Sequence, residues 1–342
     1  MSDIAVVGKF AGSEALGAVG STTILVTLFT GFLIGLGNGV NVLAARFMGL
    51  GDKKELKDSV HTSFVICLIT GIVLLAVGLL FSGALLEILK TKEELIDGAK
   101  LYLKIYFLGM PALAIYNFGN AVLSAAGDTK RPLYILAAAG VINVCLNLLF
   151  VIVFKRSVDG VAAASVISQY ISAFLIVAFL SKNDFSYSID FKSISVNKKH
   201  AASVLKLGVP SGFQNAVFAI ANLFIQGAVN SFDAVVVEGN AAAANADPLV
   251  YDVMAAFYMA CASFMSINYG AGNKKRVIKS YYISLAYSAG IGAVLGILLL
   301  LFGKEFLALF TNEEAVINEG IVRLRIMAFS YAVSAFMDCT IA

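Results

Sequence analysis

Apolar runs of about 20 residues recur along this chain, each interrupted by a short polar stretch carrying charge. At about 1.5 Å of helical rise per residue, one such run crosses the hydrocarbon core of a bilayer. The pattern predicts helices over 20–44, 59–86, 102–125, 132–154, 160–181, 204–231, 240–268, 277–302 and 321–342. A stub, residues 1–9, precedes them and is too short to span alone. Between 182 and 203 the sequence turns polar, ending in Asn197-Lys198-Lys199-His200, and reads as a linker. The predicted fold class is therefore an all-α polytopic membrane protein. Residues 1–181 make a first bundle, 182–203 a cytoplasmic linker, and 204–342 a second bundle represented by its helices seven to ten.

The polar interruptions repeat. Gly49-Leu50-Gly51-Asp52-Lys53-Lys54 returns as Gly270-Ala271-Gly272-Asn273-Lys274-Lys275, a shift of 221 positions. The same shift pairs Ser59 with Ser280, Gly71 with Gly292, Phe81 with Phe302, and Leu103-Lys104-Ile105 with Leu324-Arg325-Ile326. Carried outward, it projects the partner of helix 204–231 ahead of residue 1. It projects the partners of 132–154 and 160–181 past residue 342. The expectation is a twelve-helix protein of two six-helix units, of which this sequence holds the central part. An even number of helices returns each unit to its starting side, so the units are parallel repeats, as in many secondary transporters.

Composition narrows the class. Apolar residues make up 59% and charged residues 14% of the chain, and the mean hydropathy is +0.87, beyond a water-soluble domain. The net charge of +3 is too small and too dispersed for nucleic-acid binding. More than half of the 25 Lys and Arg residues fall in alternate loops. These are Arg46, Lys53, Lys54 and Lys57; Lys130 and Arg131; Lys182, Lys192, Lys198, Lys199 and Lys206; and Lys274, Lys275, Arg276 and Lys279. That bias places those loops and the linker in the cytoplasm; the membrane expected for such a multi-pass protein is the plasma (inner) membrane. His61 and His200 lie near the same boundary and read as interfacial residues. Cys67, Cys145, Cys261 and Cys339 sit in apolar runs without metal-ligand spacing, so they read as buried small hydrophobes. No phosphate loop, zinc helix or nucleophile elbow occurs, and no enzyme is expected. The run Gly35-Leu36-Gly37-Asn38-Gly39 lies inside an apolar helix with no strand before it, which points to close helix packing.

Polar side chains within spans are costly and mark pathways. The first half offers Asp3, Asn117, Asn120, Asn143 and Asn147. Asn143 and Asn147, four apart, share one helical face. With Asp3 opposite they would make a small oxygen-rich site for a proton or a hard cation such as sodium; packing between helices is the other reading. The second half offers Gln214, Asn215, Asn222, Asn245, Asp247, Tyr251, Asp252 and Asp338. Asp247, just before Pro248, reads either as a helix cap or as a carboxylate that attracts a cationic ligand.

Ordered motifs carry a family likeness along nearly the whole chain: Ser2-Asp3-Ile4 with Val7-Gly8, Ala15-Leu16-Gly17-Ala18-Val19-Gly20, and Ala45-Arg46-Phe47-Met48-Gly49-Leu50-Gly51-Asp52. They continue with Gly127-Asp128-Thr129-Lys130-Arg131-Pro132, Asn143-Val144-Cys145-Leu146-Asn147, Leu207-Gly208-Val209-Pro210, Gly239-Asn240-Ala241-Ala242-Ala243 and Asn268-Tyr269-Gly270-Ala271-Gly272. Together they resemble the multidrug and toxic compound extrusion (MATE) family. The resemblance implies two six-helix bundles around a central cleft, and export of cationic amphipathic compounds in exchange for Na+ or H+. It implies that Asp3, Asn143 and Asn147 couple the cation, Asn147 standing where some members carry aspartate. Asp338 matches a helix-ten aspartate of the sodium-dependent branch. Gln214, Asn222, Asp247, Tyr251 and Asp338 are the expected substrate-cleft residues. No cofactor beyond the coupling ion is expected; the partners are membrane lipid and a small cationic substrate, and the state is a monomer. The alternatives are a flippase for lipid-linked sugar carriers and a non-transporting membrane scaffold.

Overall fold

The computed structural model describes residues 2–89, 91–182, 185–229, 231–309, 311 and 313–341. They form helices with no strand among the described residues: α1 (Ser2–Phe10), α2 (Ser13–Leu50), α3 (Lys53–Ile88), α4 (Glu93–Phe107), α5 (Met110–Ala125) and α6 (Lys130–Leu148). A π-helical turn, Leu149–Val153, extends α6; α7 (Val158–Lys182) and α8 (Lys198–Val229) follow. Then come α9 (Ala234–Ala244), α10 (Ala246–Gly270), α11 (Lys274–Leu301), α12 (Gly303–Ala308) and α13 (Glu314–Ile341). Eight spans among the described residues are long and apolar enough to cross a membrane; α4 and α5, bent by 47° at their break, make a ninth. Large apolar side chains such as Leu80, Phe174, Phe224 and Leu301 stand exposed. Lipid suits them as solvent, because the helices satisfy their backbone groups internally.

The repeat is written into the element starts. α2, α3 and α4 begin at residues 13, 53 and 93; α9, α11 and α13 begin at 234, 274 and 314, each 221 later. The repeated loop motif also folds the same way in both copies. Gly51 (φ +72°) ends α2 in the left-handed conformation, and the Asp52 carboxylate then accepts the Lys54 and Glu55 N–H groups to cap α3. In the second copy Gly272 (φ +70°) precedes Asn273, whose side chain accepts the Arg276 N–H at the start of α11. Glycine takes that φ without a Cβ penalty, and the short side chain satisfies an orphan helix donor.

Two predicted helices prove to be broken, each where only one copy carries proline. The helix expected over 102–125 starts at Glu93 and parts at Leu108–Gly109, just before Pro111 in the first turn of α5. Proline supplies no N–H and its ring crowds the preceding turn. The second copy has Ser330-Tyr331-Ala332 there, and α13 runs through unbroken. The helix expected over 240–268 divides into α9 and α10 at Asn245, with Pro248 in the first turn of α10. Its counterpart, Thr27, lies inside continuous α2.

The chain separates into two compact units, residues 1–219 and 220–342. In the first, α5 is the central helix, with Phe118, Val122 and Leu123 fully buried. α2 meets α8 through glycines on both sides: a Cβ built on Gly35 would lie 2.2 Å from the Gly212 nitrogen, and one on Gly39 would lie 2.6 Å from the Gly208 nitrogen. Asn38 Nδ2 donates to Ser211 Oγ (3.1 Å) and Asn215 Nδ2 to the Gly31 carbonyl (2.9 Å) along the same seam. Small residues four apart let backbones approach and side-chain amides bridge them. In the second unit, Ala242, Ala243 and Ala246 pack with Leu307, Ile317 and Leu324, and Val250 and Met254 with Tyr331 and Ala335.

The predicted linker (Asn183 and Asp184 of it lie outside the described residues) is docked on the first unit. Ile189 is buried and its N–H donates to the Leu180 carbonyl. The Asp190 N–H donates to His61 Nε2 (3.1 Å), and the Asn197 N–H to Thr62 Oγ1 (3.0 Å). His61 and His200 are both buried by packing: His200 sits 3.0 Å from a Glu55 carboxylate oxygen, its ring edge-on to Phe47. Cys67, Cys261 and Cys339 are buried free thiols, but Cys145, expected to be buried, is exposed on α6.

Candidate functional site

Four helices of the first unit deliver polar side chains to one point. Asp3 comes from the first turn of α1, Tyr102 from α4, Asn143 and Asn147 from α6, and Ser165 from α7. All five are buried, Asn147 completely. Asp3 Oδ1 accepts from Asn147 Nδ2 at 2.9 Å, and Oδ2 accepts from Ser165 Oγ at 2.7 Å and Tyr102 Oη at 2.9 Å. Asn147 Nδ2 also reaches Asn143 Oδ1 at 3.3 Å, and Asn143 Nδ2 donates to Ser165 Oγ at 3.1 Å. The helical spacing of four residues sets Asn143 and Asn147 one above the other, facing the carboxylate. Within two residues of Asn147 the helix loosens into its π-helical turn, a feature often found beside functional groups.

A buried carboxylate is tolerated because charge-assisted donors surround it. One polar atom stays out of the network: Asn147 Oδ1 is buried without a protein donor. An orphan acceptor beside a carboxylate, an amide oxygen and two hydroxyls is a set of hard oxygen donors. Among the described residues no three His, Cys, Asp or Glu side chains cluster as a metal site. The single carboxylate suits one positive charge, a proton or a monovalent cation, better than a divalent metal. Tyr102 and Ser165 were not singled out in the sequence, since each is an ordinary residue of an apolar run until its partner 99 or 162 positions away is known.

The residues expected to face substrate are placed differently. Gln214, half-buried, belongs to the first unit; Asn222, Asp247, Tyr251 and Asp338 belong to the second. Asn222 and Tyr251 are exposed and Asp338 is half-buried. Asp247 is already paired. Its Oδ2 accepts from Arg323 Nη2 at 2.5 Å and its Oδ1 from Tyr331 Oη at 2.8 Å, while Arg323 Nη1 donates to Asn240 Oδ1. The Tyr251 ring stands edge-on to Tyr331, centroids 6.5 Å apart.

Comparison with known proteins agrees with this architecture. The MatE family model matches residues 1–149 and 210–341. The chain is 31% identical over 326 residues to a Bacillus subtilis (strain 168) protein named "Probable multidrug resistance protein YpnP", covering 95% of this chain and 73% of the relative. It is 24% identical over 316 residues to a protein of Shewanella oneidensis named "FAD transporter", covering 90% of this chain and 69% of that one. A crystal structure of a MATE protein in complex with MaD5 superimposes with a TM-score of 0.91 at 22% identity, over 99% of this chain and 76% of the other. The chain is a polytopic, membrane-spanning member of the transporter class. It belongs to the multidrug and toxic compound extrusion family.

Proposed function

We propose that the protein is a secondary active antiporter of the plasma (inner) membrane, exporting cationic amphipathic compounds in exchange for Na+ or H+. The observation that carries this reading is the buried Asp3 with three donors around it and the orphan oxygen of Asn147 beside it. To the charged carboxylate, Asn147 donates through its Nδ2. When a proton or sodium ion arrives, rotation of the Asn147 amide turns Oδ1 toward Asp3. The amide then accepts from the protonated carboxyl, or ligates sodium together with Asn143 Oδ1 and the Ser165 hydroxyl. Cation binding shifts the transport equilibrium only to the extent that the site binds it differently in the two cleft shapes. In this reading Gln214, Asn222, Asp247, Tyr251 and Asp338 are the residues that meet substrate, and the basic loops and residues 182–203 face the cytoplasm.

The test is transport of ethidium in proteoliposomes, with a sodium gradient and a pH gradient imposed separately. Ethidium movement driven by one gradient and not by its absence supports antiport and identifies the ion. Movement independent of both gradients refutes the coupling.

A further inference from the structure

Arg323 is a charge placed among apolar helices, and its geometry is specific. It lies on α13, and its guanidinium reaches Asn240 on α9 and Asp247 on α10, the two sides of the break at Asn245. Its side chain is 23% exposed and that of Asp247 20%, so little water screens the pair. The pair is nevertheless incompletely satisfied, for Arg323 Nε is buried without an acceptor. Closing it leaves one charged donor unmet, which lowers the cost of parting. Should Arg323 leave, the remaining groups would still form a cation site. Tyr331 Oη would hold the carboxylate in place, and the exposed Tyr251 would offer an aromatic face beside it.

The repeat sharpens the reading. The 221-residue shift carries Tyr102 onto Arg323. Each unit thus sends a donor from the same position of the same repeat helix to a carboxylate, Asp3 in one case and Asp247 in the other. In the first unit that donor is a neutral phenol, which leaves the carboxylate's charge to be met by a cation. In the second it is a guanidinium, which meets the charge itself.

We infer that Arg323 is a tethered cation, competing with cationic substrate for the Asp247 carboxylate and so setting which cations the second unit accepts. This rests on the export of cations proposed above. A ligand's apparent affinity falls by the fraction of time its site is open. If the pair is open about a tenth of the time, removing Arg323 raises affinity about tenfold.

The experiment is equilibrium dialysis of tetraphenylphosphonium, a permanent cation with no hydrogen-bond donor, against the purified protein. Arg323→Gln is expected to bind it about tenfold tighter than the unmodified protein, and adding Asp247→Asn is expected to abolish the gain. Unchanged or weaker binding by Arg323→Gln, or a gain that survives Asp247→Asn, overturns the inference. Should Arg323→Gln fail to fold, Arg323→Lys, which keeps the charge but loses the fork to Asn240, is expected to show a smaller gain; no gain overturns it equally. Gradient-driven ethidium transport with unaltered phosphonium binding in these variants removes this inference alone. A tenfold gain in a protein that moves no ethidium removes the antiport reading and leaves only the competition between Arg323 and a bound cation for Asp247.

Discussion

The seam between α2 and α8 allows a sharp test of how the first unit holds together. A Cβ at Gly35 would fall 2.2 Å from the Gly212 nitrogen, 2.4 Å from its Cα and 2.6 Å from the Ser211 carbonyl carbon. Non-bonded carbons prefer about 3.5–4.0 Å, and all three neighbours are backbone, so no side-chain rotation relieves the clash. Gly35→Ala must push the helices apart by roughly 1 Å or more. Overpacking of this kind costs about 1–3 kcal/mol, offset by about 0.5–1 kcal/mol from the better helix propensity of alanine. The seam's two bridging amides, Asn38 to Ser211 and Asn215 to Gly31, would stretch with it. The net loss is about 0–2.5 kcal/mol; against another Gly→Ala change, in which the propensity gain cancels, the difference is about 1–3 kcal/mol, which for a unit of this size lowers the melting midpoint by about 2–12 °C. The buried thiols Cys67, Cys261 and Cys339 permit a thiol-reactive dye to report the transition in detergent. Gly140→Ala is the control, since nothing lies within 4 Å of its Cβ position. A Gly35→Ala midpoint matching Gly140→Ala would refute the close packing of these helices.

Other outcomes follow from the same geometry. Asn147→Ala removes the donor to Asp3 Oδ1 and to Asn143 Oδ1, so the dye assay should show a loss of about 1–3 kcal/mol; no loss would mean the network is not formed. Asp190 lies outside the spans, and the Ser193 hydroxyl, then the Lys192 N–H and the nearby Lys57, hold its carboxyl below the ordinary value. A depressed value contributes stability above the unfolded value and loses it as pH falls through the folded one. Docking of 185–197 should hold from neutral pH down to about 4 and loosen below. Hydrogen exchange at the Ile189 and Asp190 amides should show this step, and Asp190→Asn should lack it.

The fold was largely legible because its signals are local or periodic. Long apolar runs give the spans, and the 221-residue shift predicts the starts of α9, α11 and α13 from those of α2, α3 and α4. The breaks were harder, although comparing the copies locates them, since Pro111 and Pro248 each occur in one copy only. The Asp3 cluster was half legible. Asn143 and Asn147 announce a shared face by spacing, whereas Tyr102 and Ser165 depend on contacts between distant helices. Asp247 shows the limit most plainly. As a lone intramembrane acid it reads as free for a ligand, and only the packing of α13 against α10 reveals Arg323 upon it. The polar stretch 182–203 read as a simple connection, because backbone donations such as Asp190 to His61 carry no side-chain pattern.

The central claim is that the charge of Asp3 couples cation movement to export. Gradient-driven ethidium transport in proteoliposomes by Asp3→Asn, beside the unmodified protein, tests it most directly. The substitution keeps the side chain's shape and a hydrogen-bonding amide while removing the only carboxylate among the five clustered side chains. The account predicts that Asp3→Asn folds, still binds ethidium, and no longer accumulates it in response to a sodium or pH gradient. Undiminished gradient-driven transport by Asp3→Asn would contradict it.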